Sequence, residues 1–355
     1  MIPVKNHVEW IDILKGFLLI SICLSHFGYV PDIVRAFISP TNDVRIPCFF
    51  FLSGMLFSTN RHKTFLTYTK AKIKALLIPY CALFILFLIL DWNLYLKPIE
   101  TLKIAVENFL ISDGPPKASP LWFVFTLFLL SILYFIIHNL FQNKYLKLLI
   151  LSVTSGLGYY LSISDIDLPF RLDVVLSSLI FFGMGNLLRP TLSLSLTVIN
   201  KKYKVLGWLL FISLMITSRI ASFFNPNSVI GLNQINNYWL FHIMCFSGIS
   251  SLILLCSLSW HQFSKFNSVN QLFRILQYIA KCGLPILAAH CFTLIIVDAF
   301  LIRTLGNSLL NIQFILKLII LVFSMYYITI PLLFSKLYFI FPQKRKTWHE
   351  AILIS

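Results

Sequence analysis

Apolar residues in this chain come in long unbroken blocks, where a soluble protein would show the short alternations of a sheet or the one-sided stripe of a surface helix. Ten blocks stand out, over 10–30, 44–59, 72–92, 120–140, 144–163, 171–189, 203–221, 237–258, 276–302 and 312–341. A run of about 20 apolar residues is what an α-helix needs to cross the roughly 30 Å hydrocarbon core of a bilayer. The pattern therefore predicts an all-α polytopic membrane bundle of about ten transmembrane helices. The second block is short, and the last is long enough to tilt or to kink at Pro331. No Pro/Ser-rich linker and no stretch of soluble-domain size interrupts the blocks, so residues 1–355 read as one integral membrane domain.

Two connections are informative. Residues 93–119 hold "TLKIAVENFL", whose apolar spacing suits a helix lying along the membrane surface, followed by the turn-rich "SDGPPKASP". Residues 223–237, "FFNPNSVIGLNQINN", are polar and uncharged, and read either as a solvated loop or as Asn and Gln facing a hydroxylated ligand. No internal repeat is visible, which counts against a transporter built from two related halves.

Composition agrees with the blocks: 58% of residues are hydrophobic and 12% charged, against about 25% charged in an average soluble domain. Mean hydropathy is +0.84. A net charge of +16 would suggest a nucleic-acid partner in a soluble chain. Here the basic residues fall between blocks, where they report topology, so membrane lipids and not nucleic acid are the expected surroundings. Lys70, Lys72 and Lys74, Lys144 and Lys147, Lys201, Lys202 and Lys204, and Lys344 to Lys346 lie on alternate connections. The intervening ones are poorer in Lys and Arg and hold Asp32, Asp43, Glu100 and Asp165. Both termini are therefore expected on the cytoplasmic side. The first block is too long for the apolar core of a typical signal peptide and lacks a small-residue cleavage site, so it is expected to stay in the mature protein. Seven cysteines, odd in number and without CxxC spacing, read as small core residues, with no disulfide framework or metal site expected.

Charges inside a membrane block are costly, about 2.5 to 3.5 kcal/mol each on insertion scales, and usually face a bundle interior or an aqueous cavity. The first block, within "EWIDILKGFLLISICLSHFGYV", carries Asp12, Lys15 and His26. Lys15 and His26 are eleven residues apart, about 20° off three full helical turns and roughly 16 Å along the axis, so they share a face. Asp12 can pair with Lys15 at i,i+3. Lys15 can also be a snorkelling lysine at a helix end, and His26 a satisfied core histidine. As an imidazole deep in a bundle, His26 can equally take and return a proton near neutrality. The second block, "DVRIPCFFFLSGMLF", offers Arg45 at its outer end and Ser53-Gly54 midway, where small residues permit close approach. His138 and His242 fall near block ends, where interfacial solvation accounts for them. Arg171 with Asp173 read as a structural pair, as do Asp298 and Arg303.

These motifs resemble the acyltransferase-3 family of integral membrane acyltransferases, and within it the fucose 4-O-acetylase-like branch. The family's basic residue, ten-residue spacer and histidine match Lys15 and His26 within "EWIDILKG". Its Phe-Phe-x-x-Ser-Gly matches Phe50, Phe51, Ser53 and Gly54, and its basic run into "LLIPY" matches Lys70, Lys72, Lys74 and Pro79. Leu121, Trp122 and Phe123 match the opening of its fourth helix, and "AKCGLPILAAH" approximates a late motif ending in His290. In that motif Ala280, Cys282 and Gly283 replace the usual Gly, Asn and Ser/Thr, and Arg45 stands where a histidine is usual.

The resemblance implies transfer of an acyl group, usually acetyl from acetyl-CoA, to a hydroxyl of a carbohydrate or lipid-linked glycan, in the cytoplasmic (inner) membrane of a bacterium. Acetyl-CoA would be a donor substrate, with no tightly bound cofactor. The residues suit this chemistry. His26 can act as general base, Arg45 or Ser53 can donate to an oxyanion, and Lys15, Lys70, Lys72 and Lys74 can meet the donor's phosphates on the cytoplasmic side. Trp122 suits sugar stacking as well as an interfacial aromatic belt, and His290 is expected at the substrate. The alternative is a carrier or flippase for a sugar or lipid-linked oligosaccharide, with Lys15 and His26 along its path.

Overall fold

The computed structural model describes residues 9–27, 29–60, 62, 64–95, 103, 106–107, 121–284, 286–287, 290 and 310–324. Those residues form helices and loops, with one isolated antiparallel bridge, Val229 to Gln234. In chain order the helices are α1 (Glu9–Ser25), α2 (Asp32–Ile38), α3 (Arg45–Met55), α4 (Phe65–Lys72), α5 (Ile78–Tyr95), α6 (Trp122–Leu140), α7 (Lys144–Ile163), α8 (Leu172–Lys202), α9 (Lys204–Phe224), α10 (Tyr238–Phe263), α11 (Asn267–Lys281) and α12 (Leu310–Ser324). Five of them, α6 to α10, are long and apolar enough to cross a membrane. Of the connection over 93–119, residues 93–95 complete α5 and Lys103, Val106 and Glu107 are helical; the rest lies outside the described residues. So do Asp298, Arg303, Pro331 and Cys291.

Several boundaries have visible causes. Asn143 and Asn237 cap α7 and α10, their side chains accepting from the N–H of Tyr145 at 2.8 Å and of Leu240 at 3.0 Å. Between α4 and α5 the helix widens into a π turn over Ile73–Leu77. Pro79 follows at once, and its missing N–H and its ring disturb the hydrogen-bond ladder one turn back. The block at 171–189 was expected to end before Pro190, yet α8 runs through it to Lys202. An interior proline removes one backbone bond, and packing outweighs that loss: Asn200 in the extension donates from Nδ2 to Ser257 Oγ of α10 at 2.8 Å.

The 11-residue α3 is about 16 Å long, too short to cross a bilayer by itself. It is instead sunk into the bundle against α8 by reciprocal glycines. A Cβ on Gly54 would overlap the carbonyl of Phe182, and one on Gly185 the carbonyl of Phe51. Gly16 brings α1 against the backbone of Leu276 in α11 in the same way. Around this core, α7 and α9 turn apolar stripes outward: Leu149, Val153, Leu157 and Tyr160 on α7, and Leu209, Ile212, Ile216 and Ile220 on α9, are exposed. Their i, i+3/i+4 spacing makes continuous surfaces that hydrocarbon would cover.

Candidate active site

α1 is shorter than its apolar block. It ends at Ser25, whose Oγ donates to the carbonyl of Ile22 at 2.7 Å and competes with the ladder. His26 and Phe27 continue in tighter turns, their N–H groups bonding Cys23 and Leu24 carbonyls at 3.2 Å. Lys317 of α12 donates to the Phe27 carbonyl at 2.8 Å. His26 therefore stands just past the helix end instead of inside a longer span. The tightening leaves it on the Lys15 side, and both line one cavity of about 600 Å³.

Three separated parts of the chain supply the functional side chains of that chamber. α1 gives Lys15, and His26 follows it. α3 gives Arg45 and Ser53, and the first residue of α6 gives Trp122. Lys15 Nζ lies 3.9 Å from Asp12 Oδ1, the i,i+3 pair expected from spacing. Arg45 Nη1 donates to the carbonyl of Ser21 at 3.3 Å and to Asn42 Oδ1 at 3.1 Å, which ties the start of α3 to α1 just below His26. A guanidinium carries five N–H donors, and both bonds use Nη1. Ser53 and Gly54 divide their work: the serine faces the chamber and the glycine permits the α3–α8 crossing. His290 is fully buried, its ring centroid 5.6 Å from that of His26, so it stands behind the exposed imidazole. Ala280 and Gly283 line the wall and bring it no side-chain donor.

A smaller cavity of about 350 Å³ adjoins the chamber. The two share Ser53, Ala75, Leu76 and Leu127, so the π turn and Ser53 form their common wall. Lys72 and His62 line the smaller cavity, and Lys72 Nζ lies 5.3 Å from the centroid of the Tyr68 ring. Lys70 and Lys74 are exposed and line neither cavity. The structure thus separates one lysine of the basic run from the other two.

The chamber wall also includes Arg171, read from sequence as half of a structural pair, and part of the polar connection, read as a solvated loop or a ligand contact. Residues 228–232 of the polar connection line the chamber. Asn225 and Asn233 of this connection are buried and hold it in place. Asn233 Oδ1 accepts from Ser177 Oγ at 2.6 Å while its Nδ2 donates to the Gly158 carbonyl at 3.2 Å, and Asn225 Oδ1 accepts from the N–H of Asn237 at 3.0 Å. Arg171 lines the chamber, donates to the Gly231 carbonyl and stacks over Trp122 at 5.4 Å. Phe170 and Arg171 both adopt left-handed backbone, at φ 58° and 51°, a conformation that non-glycine residues hold only when their surroundings enforce it. Asp173 accepts from the N–H of Leu168 at 3.3 Å and closes the preceding turn. A cation on a connection otherwise poor in Lys and Arg was the one signal that could have drawn attention to Arg171.

Two histidines differ from expectation. His242 is buried, with Nε2 3.0 Å from Ser155 Oγ and Nδ1 2.7 Å from the Tyr238 carbonyl, so it fastens α10 to α7 instead of being solvated at an interface. His138 is half-buried, with Nδ1 3.3 Å from Nζ of the buried Lys147. Five cysteines among the described residues, at 23, 48, 245, 256 and 282, are buried free thiols in the packing, and Cys81 is half-buried.

No curated protein and no solved structure matches the chain. A family described as an acyltransferase domain matches residues 8–334, nearly the whole length. With its long apolar helices and a cation-lined chamber, the chain belongs to the acyltransferase-3 family and is an integral membrane acyltransferase.

Proposed function

We propose that this chain is an O-acetyltransferase of the fucose 4-O-acetylase-like branch, moving acetyl from acetyl-CoA to a hydroxyl of a carbohydrate or lipid-linked surface glycan. One observation carries the reading: His26, Lys15, Arg45, Ser53 and Trp122, remote in sequence, line a single chamber. In this reading the chain forms about ten spans in the cytoplasmic membrane of a bacterium, with both termini inside. The smaller cavity then opens toward the cytoplasm and the Trp122 end toward the outside.

Acetyl-CoA approaches through the smaller cavity, where Lys72 meets its phosphates, and Lys15 adds positive charge at the chamber's cytoplasmic end. Ser53, on the shared wall, marks where the thioester reaches the chamber. The acceptor lies against Trp122, with its hydroxyl at His26. The imidazole takes the hydroxyl proton as the oxygen attacks the thioester carbonyl, and the carbonyl electron pair moves onto oxygen. Arg45 or Ser53 donates to that oxyanion. When it collapses, the carbon–sulfur bond breaks and the imidazolium returns its proton to the departing thiolate, leaving an ester and free CoA. His290, behind the His26 ring, positions it from the buried side. Transfer is direct, since the hydroxyl activated at His26 attacks the thioester itself and no acyl-enzyme is needed. No observation favours the carrier reading.

Purified protein in detergent, given acetyl-CoA labelled in its acetyl group, is expected to pass label to an extracted glycan. Cells lacking the protein are expected to lose an acetyl ester from their surface glycans by mass spectrometry. Label that stays on CoA while vesicles carrying the protein move the sugar would replace the enzyme with a carrier.

A further inference from the structure

We infer that the acceptor is borne on a lipid phosphate, whose hydrocarbon chain lies in a second cavity behind α1 and whose phosphate sits at Arg219. This rests on the acetyltransferase reading above. The cavity, of about 470 Å³, lies between α1, α9, α10 and α11, with Ile13 and Phe17 of α1 turned into it while Lys15 and Leu19 face the chamber. Its wall is largely apolar, with Ser259 at the far end of the lining along α10. Ser218, Ser251 and Thr41 line it, but their hydroxyls donate to the carbonyls of Met244, Gly248 and Ile38 at 2.9, 2.8 and 2.7 Å. Those protons are not presented to a sugar, so hydrocarbon suits the wall better than a polar ligand does.

Its length also fits. Along α10 the lining runs from Gly248 to Ser259, roughly 16 Å at 1.5 Å per residue, or about half the hydrocarbon core and so one leaflet. At its outer end Arg219 is the one cation among the lining residues. It is exposed, and its Nη1 reaches the Ser39 carbonyl only at 3.5 Å. One apolar slot with a guanidinium at its mouth matches one chain with a phosphate head.

The position of that mouth links the slot to the acceptor. Ser222, one turn beyond Arg219 on the same face of α9, donates to Asp43 Oδ2 at 2.7 Å, and Asp43 lines the chamber. Residues 36 and 41 border the slot, while 42, 43 and 45 border the chamber. A sugar joined to a phosphate at Arg219 therefore has only this rim to cross before it reaches Arg45 and His26.

The test is native mass spectrometry of delipidated full-length protein titrated with polyprenyl monophosphate or with phosphatidylglycerol, for wild type, Arg219→Glu and Leu255→Trp. Leu255 lines the slot away from the chamber. Polyprenyl monophosphate is expected to bind in preference to phosphatidylglycerol, and each variant to weaken it about tenfold or more. Acetyl transfer to a lipid-free glycan is expected to survive in both variants while transfer to its lipid-borne form falls. Equal binding of the two lipids would make the slot an ordinary bilayer-lipid site and overturn the proposal. Polyprenyl phosphate binding that ignores both substitutions would do the same. Absence of transfer to every acceptor would count against the acetyltransferase reading, and the binding arm would still decide the slot.

Discussion

Gly231→Ala is the sharpest probe of the acceptor end. A Cβ at Gly231 would stand 2.7 Å from Cζ2 of Trp122 and 3.4 Å from Cε2 and Cη2. Ordinary carbon contact begins near 3.4 Å, so the indole must shift by roughly 0.7 Å. It cannot simply swing aside, because Arg171 stacks on its face and is itself bonded to the Gly231 carbonyl. A displacement of about 1 Å in a positioning group can cost on the order of 10²-fold in rate, so a loss of about 10- to 100-fold in kcat/KM for the acceptor is expected. KM for acetyl-CoA should not change, because the proposed donor contacts are elsewhere, at Ser53 on the shared wall and at Lys72 in the smaller cavity. Steady-state kinetics with each substrate varied in turn separates the two, and a Trp122→Ala, Gly231→Ala double variant should lose little beyond Trp122→Ala alone. Unaltered acceptor kinetics in Gly231→Ala, with Trp122→Ala impaired, would refute the idea that the loop sets the indole's position.

Three further expectations follow from the geometry. Lys72→Glu should raise KM for acetyl-CoA by about tenfold or more through lost charge-assisted bonding, whereas Lys70→Glu and Lys74→Glu should do much less; equal effects would show that the cavity does not guide the donor. Ser155→Ala leaves His242 Nε2 without its buried partner, at a cost of about 1–3 kcal/mol in stability, which thermal unfolding should register while kcat is retained. Gly54→Val should lower stability by about 1–3 kcal/mol or more through overpacking against the Phe182 carbonyl, and normal thermal stability in that variant would contradict the tight α3–α8 crossing.

The sequence revealed bundle and chamber unequally. Block length gave helices wherever a run was bounded by turn residues, because burial in lipid demands continuous apolar helix. It misjudged the ends of α1 and α8, where a side-chain hydrogen bond at Ser25 and tertiary packing at Asn200 decide the boundary. Lys15 and His26 were legible as a pair because helical periodicity relates them. Arg171, the 228–232 loop and the π turn were not, since they meet the chamber only through long-range contacts that local pattern does not encode. The asparagines of 223–237 left two readings open, a solvated loop or ligand contacts; Asn225 instead bonds within the loop and Asn233 ties it to α7 and α8, a distinction that depends on which way each amide points.

The most direct measurement is transfer of labelled acetyl from acetyl-CoA to glycan by purified His26→Ala and His26→Gln proteins beside wild type. Thermal unfolding and acetyl-CoA binding are followed in the same samples. Loss of the base should lower kcat by about 10²- to 10⁴-fold, with folding and donor binding retained. Transfer at the wild-type rate by either folded variant would contradict a catalytic imidazole in the chamber.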